Sequence, residues 1–176
     1  MDETKRVEEK YLAEFVYGAT DGAITTFAVV AGALGASLGS AIVLILGFAN
    51  LIADGFSMAT SDYLSVKSEH ELKRSRHKHY SCKSPIRTAF ATFSAFILAG
   101  LIPLIPFILG IFSQNLFDLQ IKLSLILTPI TFLVIGWFKG HVTGKHKLKS
   151  AIETLLIGGA AALLAFFVGY LLRALV

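Results

Sequence analysis

Long uncharged apolar segments alternate with short polar ones along this chain of 176 residues. Between Asp21 and Asp54 lie 32 residues with neither a charge nor a histidine. Further gaps of 30, 16 and 19 such residues follow Arg87, Lys122 and Glu153. A helix needs about 20 residues to cross the roughly 30 Å apolar core of a bilayer. The pattern therefore predicts membrane-spanning helices, and the first gap with its flanks is long enough for two of them.

Small and polar residues clustered in 31–40 predict a hairpin inside that first gap. Pro103 and Pro106 predict a kink in the third span. We expect an all-α integral membrane protein with a single transmembrane domain over residues 1–176, in which a solvated helical extension or an amphipathic lead-in precedes the first span. The five predicted spans are Glu14–Ala36, Gly39–Leu64, Arg87–Phe112, Leu119–Phe138 and Ala151–Leu172.

The composition agrees with a membrane protein, since 55% of the residues are hydrophobic and only 16% are charged. Soluble domains have about 45–50% apolar and about 25% charged residues. A disordered chain and most soluble enzyme folds are therefore excluded. The single cysteine, Cys82, excludes an internal disulfide and a cysteine-based metal framework.

The basic residues predict the orientation of the five spans. Fourteen of the 16 Lys and Arg residues fall on one side, and only Lys122 and Arg173 fall on the other. Cytoplasmic loops of membrane proteins carry an excess of Lys and Arg. We therefore expect the N-terminus in the cytosol and the C-terminus outside, and the net charge of +4 does not indicate a nucleic-acid partner.

Two aspartates, Asp21 and Asp54, lie inside apolar sequence. The midpoint between them falls in the predicted hairpin, so two antiparallel helices place both carboxylates at one depth. A charge at the centre of a span costs about 2.5–3.5 kcal/mol on insertion scales and needs a partner or a role. The alternatives to a functional pair are an interhelical hydrogen bond for Asp54 and a first-turn charge at the positive end of the first span for Asp21.

Polar residues recur at every fourth position of the second span and share one broad face. Carboxylates suit hard cations, whereas a thioether favours softer ions, so the mixed set predicts transported Fe²⁺ or Mn²⁺, with Co²⁺ and Zn²⁺ as further candidates. We expect no tightly bound cofactor. Core packing is the alternative for Met58, and an interfacial charge is the alternative for Asp62. The candidate metal ligands are Asp21, Asp54, Met58 and Asn50, and the candidate pathway residues are Thr25, Ser57, Ser61 and Asp62.

The connection between the second and third spans is basic and rich in histidine. It could capture metal weakly on the cytosolic side, or it could be a solvated loop that touches anionic lipid headgroups. Its candidate ligands are Glu69, His70, Glu71, His77 and His79.

Small residues at four-residue spacing predict close helix packing, either within one protomer or between protomers. They are Ala28, Gly32 and Ala36 in the first span, and Gly158, Ala162, Ala165 and Gly169 in the fifth.

The segments DGAITTFAVVAG at 21–32 and ANLIADGFSMATSDYLS at 49–65 resemble the first two helices of the vacuolar iron transporter family. The resemblance implies a helical homodimer whose translocation path follows those helices at the subunit interface. It also implies export of Fe²⁺, often with Mn²⁺, from the cytosol in exchange for protons. The family's first-helix Asp falls on Asp21, its second-helix Met falls on Met58, and a second-helix Glu falls on Asn50.

Two features depart from that family. An amide replaces the Glu at Asn50, and the connection after the second span is short and mostly basic, whereas some members carry a long Glu-rich insertion there. The chain therefore resembles a small bacterial or archaeal member without the cytosolic metal-binding domain.

Three functions stay open at this point, and a proton-coupled metal exporter leads. A non-transporting membrane scaffold or subunit is the second. An intramembrane aspartic protease is the third, although the Gly-x-Gly pattern of that class does not precede Asp54. The expected location is a bacterial or archaeal plasma membrane, or the vacuolar membrane of a eukaryote.

Overall fold

The computed structural model describes residues 3–76, 83–112 and 117–175. Five helical segments are long and apolar enough to cross a membrane, which confirms the predicted all-α, five-span architecture of an integral membrane protein. The third of these segments joins two helices through a short 3₁₀ turn at Ile102–Leu104. The helices are α1 (Glu3–Gly35), α2 (Ser40–Ser75), α3 (Pro85–Leu101), α4 (Ile105–Leu109), α5 (Phe117–Val142) and α6 (Lys147–Leu172).

Two helices extend beyond the predicted spans. The first begins at Glu3, as expected for a helical extension before the span at Glu14, whereas α2 ends at Ser75 rather than Leu64. The 36 residues of α2 correspond to about 54 Å, well beyond the roughly 30 Å apolar core. Lys and Glu are good helix formers, so the end of the apolar sequence is not the end of the helix.

The hairpin between α1 and α2 forms where the small residues predict it. Ser37 has a left-handed backbone with φ 59°, and Leu38 N–H donates to the Ala33 carbonyl at 2.9 Å. Ser37 N–H donates to the Leu34 carbonyl, also at 2.9 Å. These two bonds form a Schellman motif, which satisfies the last carbonyls of α1. The chain therefore reverses within a few residues, and α2 returns antiparallel to α1.

The third span is interrupted at its prolines, as predicted. Pro103 lies in the 3₁₀ turn and Pro106 lies in α4. Proline lacks an N–H group and leaves a carbonyl of the preceding turn without its helical partner. The Ser124 hydroxyl of α5 donates to the Pro103 carbonyl at 3.0 Å, so α5 packs directly against the break.

The first helix is central, since α1 packs against α2, α3, α5 and α6. It packs most extensively against α3, where Gly18 lies against the backbone of Thr92 and Gly22 against that of Phe96. A Cβ atom at either glycine would come within 2.4 Å of a carbonyl oxygen. The two contacts keep the same offset in sequence, so α1 and α3 run parallel.

The predicted small-residue stripes pack within one protomer. Gly32 of α1 lies against Ala165 and Gly169 of α6. Gly158 of α6 lies against the ring of Phe132 on α5. The two stripes therefore bring α6 onto α1 and α5 inside a single chain.

The starts of α1, α3 and α6 and the ends of α2 and α5 form what we call the basic end of the bundle. Two contacts join the start of α3 to α1 there. Ser84 N–H donates to the Tyr11 hydroxyl at 3.0 Å, and Lys83 Nζ lies 2.6 Å from Glu14 Oε1. The start of α3 is thus fixed against α1 by these two contacts.

Candidate metal site between the first two helices

Asp21 on α1 and Asp54 on α2 are neighbours across the hairpin. Both side chains are partly exposed, and the two carboxylates are close enough for their negative charges to repel each other. Charges interact strongly where water is scarce, so such a pair binds a cation more readily than a single carboxylate does. The hairpin therefore builds a site of concentrated negative charge within the spanning part of α1 and α2.

A cavity of about 580 Å³ opens beside Asp54, between α1 and α2. Its only polar side chains are those of Asn50 and Asp54, and apolar residues such as Val29 and Leu46 line the rest. The Asn50 Nδ2 atom is buried and has no hydrogen-bond partner. A buried donor without a partner costs about 1–3 kcal/mol. The cavity therefore has an amide and a carboxylate available to a polar guest.

Met58 lies one turn beyond Asp54 and packs, partly buried, against the apolar core. This contact agrees with the alternative of core packing, and the four-residue spacing keeps Met58 on the same broad face of α2 as Asp54. The Thr25 hydroxyl donates to the Asp21 carbonyl at 2.8 Å, so its proton is used within α1. Ser57 and Ser61 lie on the exposed side of α2.

Asp62 has a specific partner on a neighbouring helix. The hydroxyl of Thr92, which is fully buried on α3, donates a hydrogen bond to Asp62 Oδ2. Gly18 of α1 also packs against the backbone of Thr92. The sequence gives no signal for this pair, because no local spacing relates the two residues.

Glu14 is an acidic residue that the sequence argument did not identify as a candidate. It lies seven residues before Asp21, which keeps it on nearly the same face of α1. One of its carboxylate oxygens pairs with Lys83, and the other is buried without a hydrogen-bond partner. Glu14 therefore extends the acidic face of α1 from Asp21 towards the basic end.

The predicted cytosolic capture residues are only partly within the described chain. Glu69, His70 and Glu71 lie on the last turns of α2, and His77, His79 and Cys82 lie outside the described residues. A hydrogen bond from Lys73, together with its positive charge, lowers the pKa of Glu69. Within residues 3–76, 83–112 and 117–175, no three His, Cys, Asp or Glu side chains converge.

Comparisons with known proteins identify relatives along most of the chain. The VIT family matches residues 12–82 and 74–170. The "Vacuolar iron transporter" of Toxoplasma gondii is 27% identical, over 94% of this chain and 76% of the relative. "Vacuolar iron transporter 1" of Arabidopsis thaliana is 27% identical over 87% and 82%. "Vacuolar iron transporter homolog 4" of the same plant is 28% identical over 94% and 84%.

The lengths of these alignments separate two kinds of relative. The first two run over 228 and 210 positions, more than the 176 residues of this chain, whereas the third runs over 176. The first two relatives therefore carry residues with no counterpart here. The two segments matched by the family overlap at residues 74–82, where α2 ends and α3 has yet to begin.

Proposed function

The chain belongs to the VIT family, and we propose that it exports a divalent transition metal, Fe²⁺ or Mn²⁺, from the cytosol in exchange for protons. The relatives that align with most of this chain are named as iron transporters and not as enzymes. This supports transport over proteolysis by the paired aspartates.

The observation that carries the proposal is a pair of carboxylates close enough to repel each other, one of which, Asp54, lines an open cavity. Asp21 and Asp54 supply the negative charge, and the side-chain oxygen of Asn50 is a further hard ligand. The sulfur of Met58 is a softer ligand one turn farther along α2. These oxygen and sulfur ligands would replace the water molecules that a metal ion loses when it enters the site.

Proton exchange follows from competition for the same carboxylates. Two adjacent carboxylates repel each other, and either a metal ion or a proton relieves that repulsion. Binding of one species therefore favours release of the other. Exposure of the pair first to one side of the membrane and then to the other couples the two flows.

A second copy of the chain completes the site in this proposal. The side of α2 next to the cavity exposes large apolar residues, including Leu46, Ile52 and Phe56. A two-fold axis along this face would cover those residues and bring two carboxylate pairs together. With the basic end in the cytosol, metal would enter past Glu14 and leave at the hairpin, across a prokaryotic plasma membrane or a vacuolar membrane.

The test is metal flux into liposomes that contain the purified protein, with Fe²⁺ and Mn²⁺ and an imposed pH gradient. We expect Asp21→Asn and Asp54→Asn to reduce the flux at least about ten-fold, because each removes a charged ligand from a poorly hydrated site. Asp118→Asn is the matched control, since Asp118 is an exposed carboxylate at the start of α5. Its flux should equal that of the wild type.

Two results would contradict the proposal. Wild-type flux in a folded Asp21→Asn variant would remove the carboxylate pair from the path. A folded wild-type protein that moves none of the ions would favour the scaffold function instead.

A further inference from the structure

An apolar groove lies between α1 and α5 near the basic end. Its volume is about 270 Å³, and only apolar side chains line it, including Phe15 and Ala19 from α1 and Val134, Trp137 and Phe138 from α5. Phe15, Trp137 and Phe138 are each 39–50% exposed. The groove therefore opens to the membrane at the depth where α5 approaches its end.

Two basic residues contact Trp137 at this groove. Lys147 Nζ lies 4.9 Å from the centre of the Trp137 ring, and the ring of His141 stacks on Trp137 at 6.1 Å with an interplanar angle of 15°. Trp137 thus lines the groove with its ring and also contacts two basic side chains. Trp is enriched where apolar and polar parts of a membrane meet, which is the position that these contacts give it.

The charge around the groove is strongly one-sided. The segment 139–149 carries four lysines and two histidines and no acidic residue. Two nearby carboxylates already have basic partners, because Glu153 Oε2 lies 4.0 Å from Lys139 and Glu14 pairs with Lys83. The described surroundings therefore favour an anion next to Lys147.

We propose that this groove, together with Lys147 and His141, is a binding site for one anionic phospholipid. An acyl chain would lie along Phe15, Val134 and Phe138, and the headgroup phosphate would contact the Lys147 ammonium. An amphiphile of this kind satisfies both halves of the surface at once: its chain fills an apolar groove that opens to the bilayer, and its phosphate meets cations at the boundary. The site is distinct from the candidate metal site, since none of its lining residues is a candidate metal ligand or pathway residue.

Trp137 is the only tryptophan of the chain and reports directly on the groove. The experiment is quenching of its fluorescence by phospholipids with brominated acyl chains, with the full-length protein in a background of unbrominated phosphatidylcholine. Brominated phosphatidylglycerol should quench at a lower mole fraction than brominated phosphatidylcholine. In Lys147→Gln this preference should fall about five-fold, because Lys147 is the lysine that contacts Trp137 of the groove and one lysine in contact with an anionic headgroup contributes about that factor. Lys145→Gln is the matched control, since Lys145 is an exposed lysine of the same connection, and it should keep the preference.

Each other outcome overturns the proposal. Equal quenching by the two lipids would show a groove without headgroup selection. An equal loss in both lysine variants would show a diffuse surface charge and no site. Displacement of the brominated lipid by inorganic phosphate would show an anion site without a lipid. Absence of quenching by either lipid would show that a second copy of the chain covers the groove.

Discussion

Asp62 and Thr92 join α2 to α3 through one hydrogen bond between side chains. The sequence placed Asp62 on the polar face of the second span, as a pathway residue or an interfacial charge. The buried hydroxyl of Thr92 gives it a structural role as well, and the two roles make different demands. A pathway needs the negative charge, whereas the hydrogen bond needs only an acceptor oxygen.

We expect Asp62→Asn to retain both the fold and the flux, because the amide oxygen still accepts the bond. Thr92→Val removes the donor and leaves a partly buried carboxylate without its partner, so it should lower the free energy of unfolding by about 1–3 kcal/mol. Thermal unfolding in detergent, together with liposome flux, measures both effects. A folded Asp62→Asn variant without flux would return Asp62 to the metal path.

The four-residue spacing was sufficient to place Asn50, Asp54 and Met58 on one face of α2, because helix geometry alone fixes that relation. The spacing could not show how deeply each residue lies. Burial depends on α3, whose contacts with α2 come from residues such as Phe93 and Phe96 far along the chain. The orphaned amide of Asn50 is likewise a property of packing and could not be predicted from the sequence.

Glycines determine how closely α1 and α3 approach, and substitution of one of them tests this packing. In Gly22→Ala the new methyl group would come within 2.3 Å of the Phe96 carbonyl oxygen, so the two backbones must separate. We expect a loss of about 1–3 kcal/mol in stability, as is typical of an overpacked core. Gly159→Ala is the control, because a Cβ atom there meets nothing within 4 Å. Thermal unfolding in detergent measures the stability of the two variants. Equal stabilities of Gly22→Ala and Gly159→Ala would contradict the close α1–α3 contact.

The hairpin and the proline break could be predicted because each has a local cause in turn residues or in a missing N–H group. The end of α2 could not be predicted, since hydropathy indicates where a helix leaves the apolar core and not where it stops. Gly18 and Gly22 have the four-residue spacing of a packing motif but were not identified. Only the third span, packed against them, shows that this spacing marks a close backbone contact.

The orientation of the whole molecule remains a prediction from its basic residues. Cys82, the single cysteine, belongs to the connection between α2 and α3 and lies outside the described residues. If the basic end faces the cytosol, a membrane-impermeant thiol reagent should label Cys82 only after the cells are permeabilised. A Leu175→Cys variant in a Cys82→Ser background is the control, because Leu175 is 80% exposed near the other end of the bundle. This variant should be labelled in intact cells, and the opposite pattern would reverse the assigned orientation.

The contacts of Lys83 and Ser84 with α1 have a consequence for how such a bundle can acquire new parts. Since α1 holds the start of α3, the residues between Arg76 and Lys83 need not position the helices that they join. In general, each doubling of the length of a loop costs only about 0.6 kcal/mol. A whole domain could therefore be inserted at this point while the spanning helices keep their packing, and relatives aligned over 210 or more positions carry additional residues. Because Lys83 and Ser84 attach the start of α3 to α1, the same membrane core can gain or lose a soluble domain between α2 and α3 in the course of evolution.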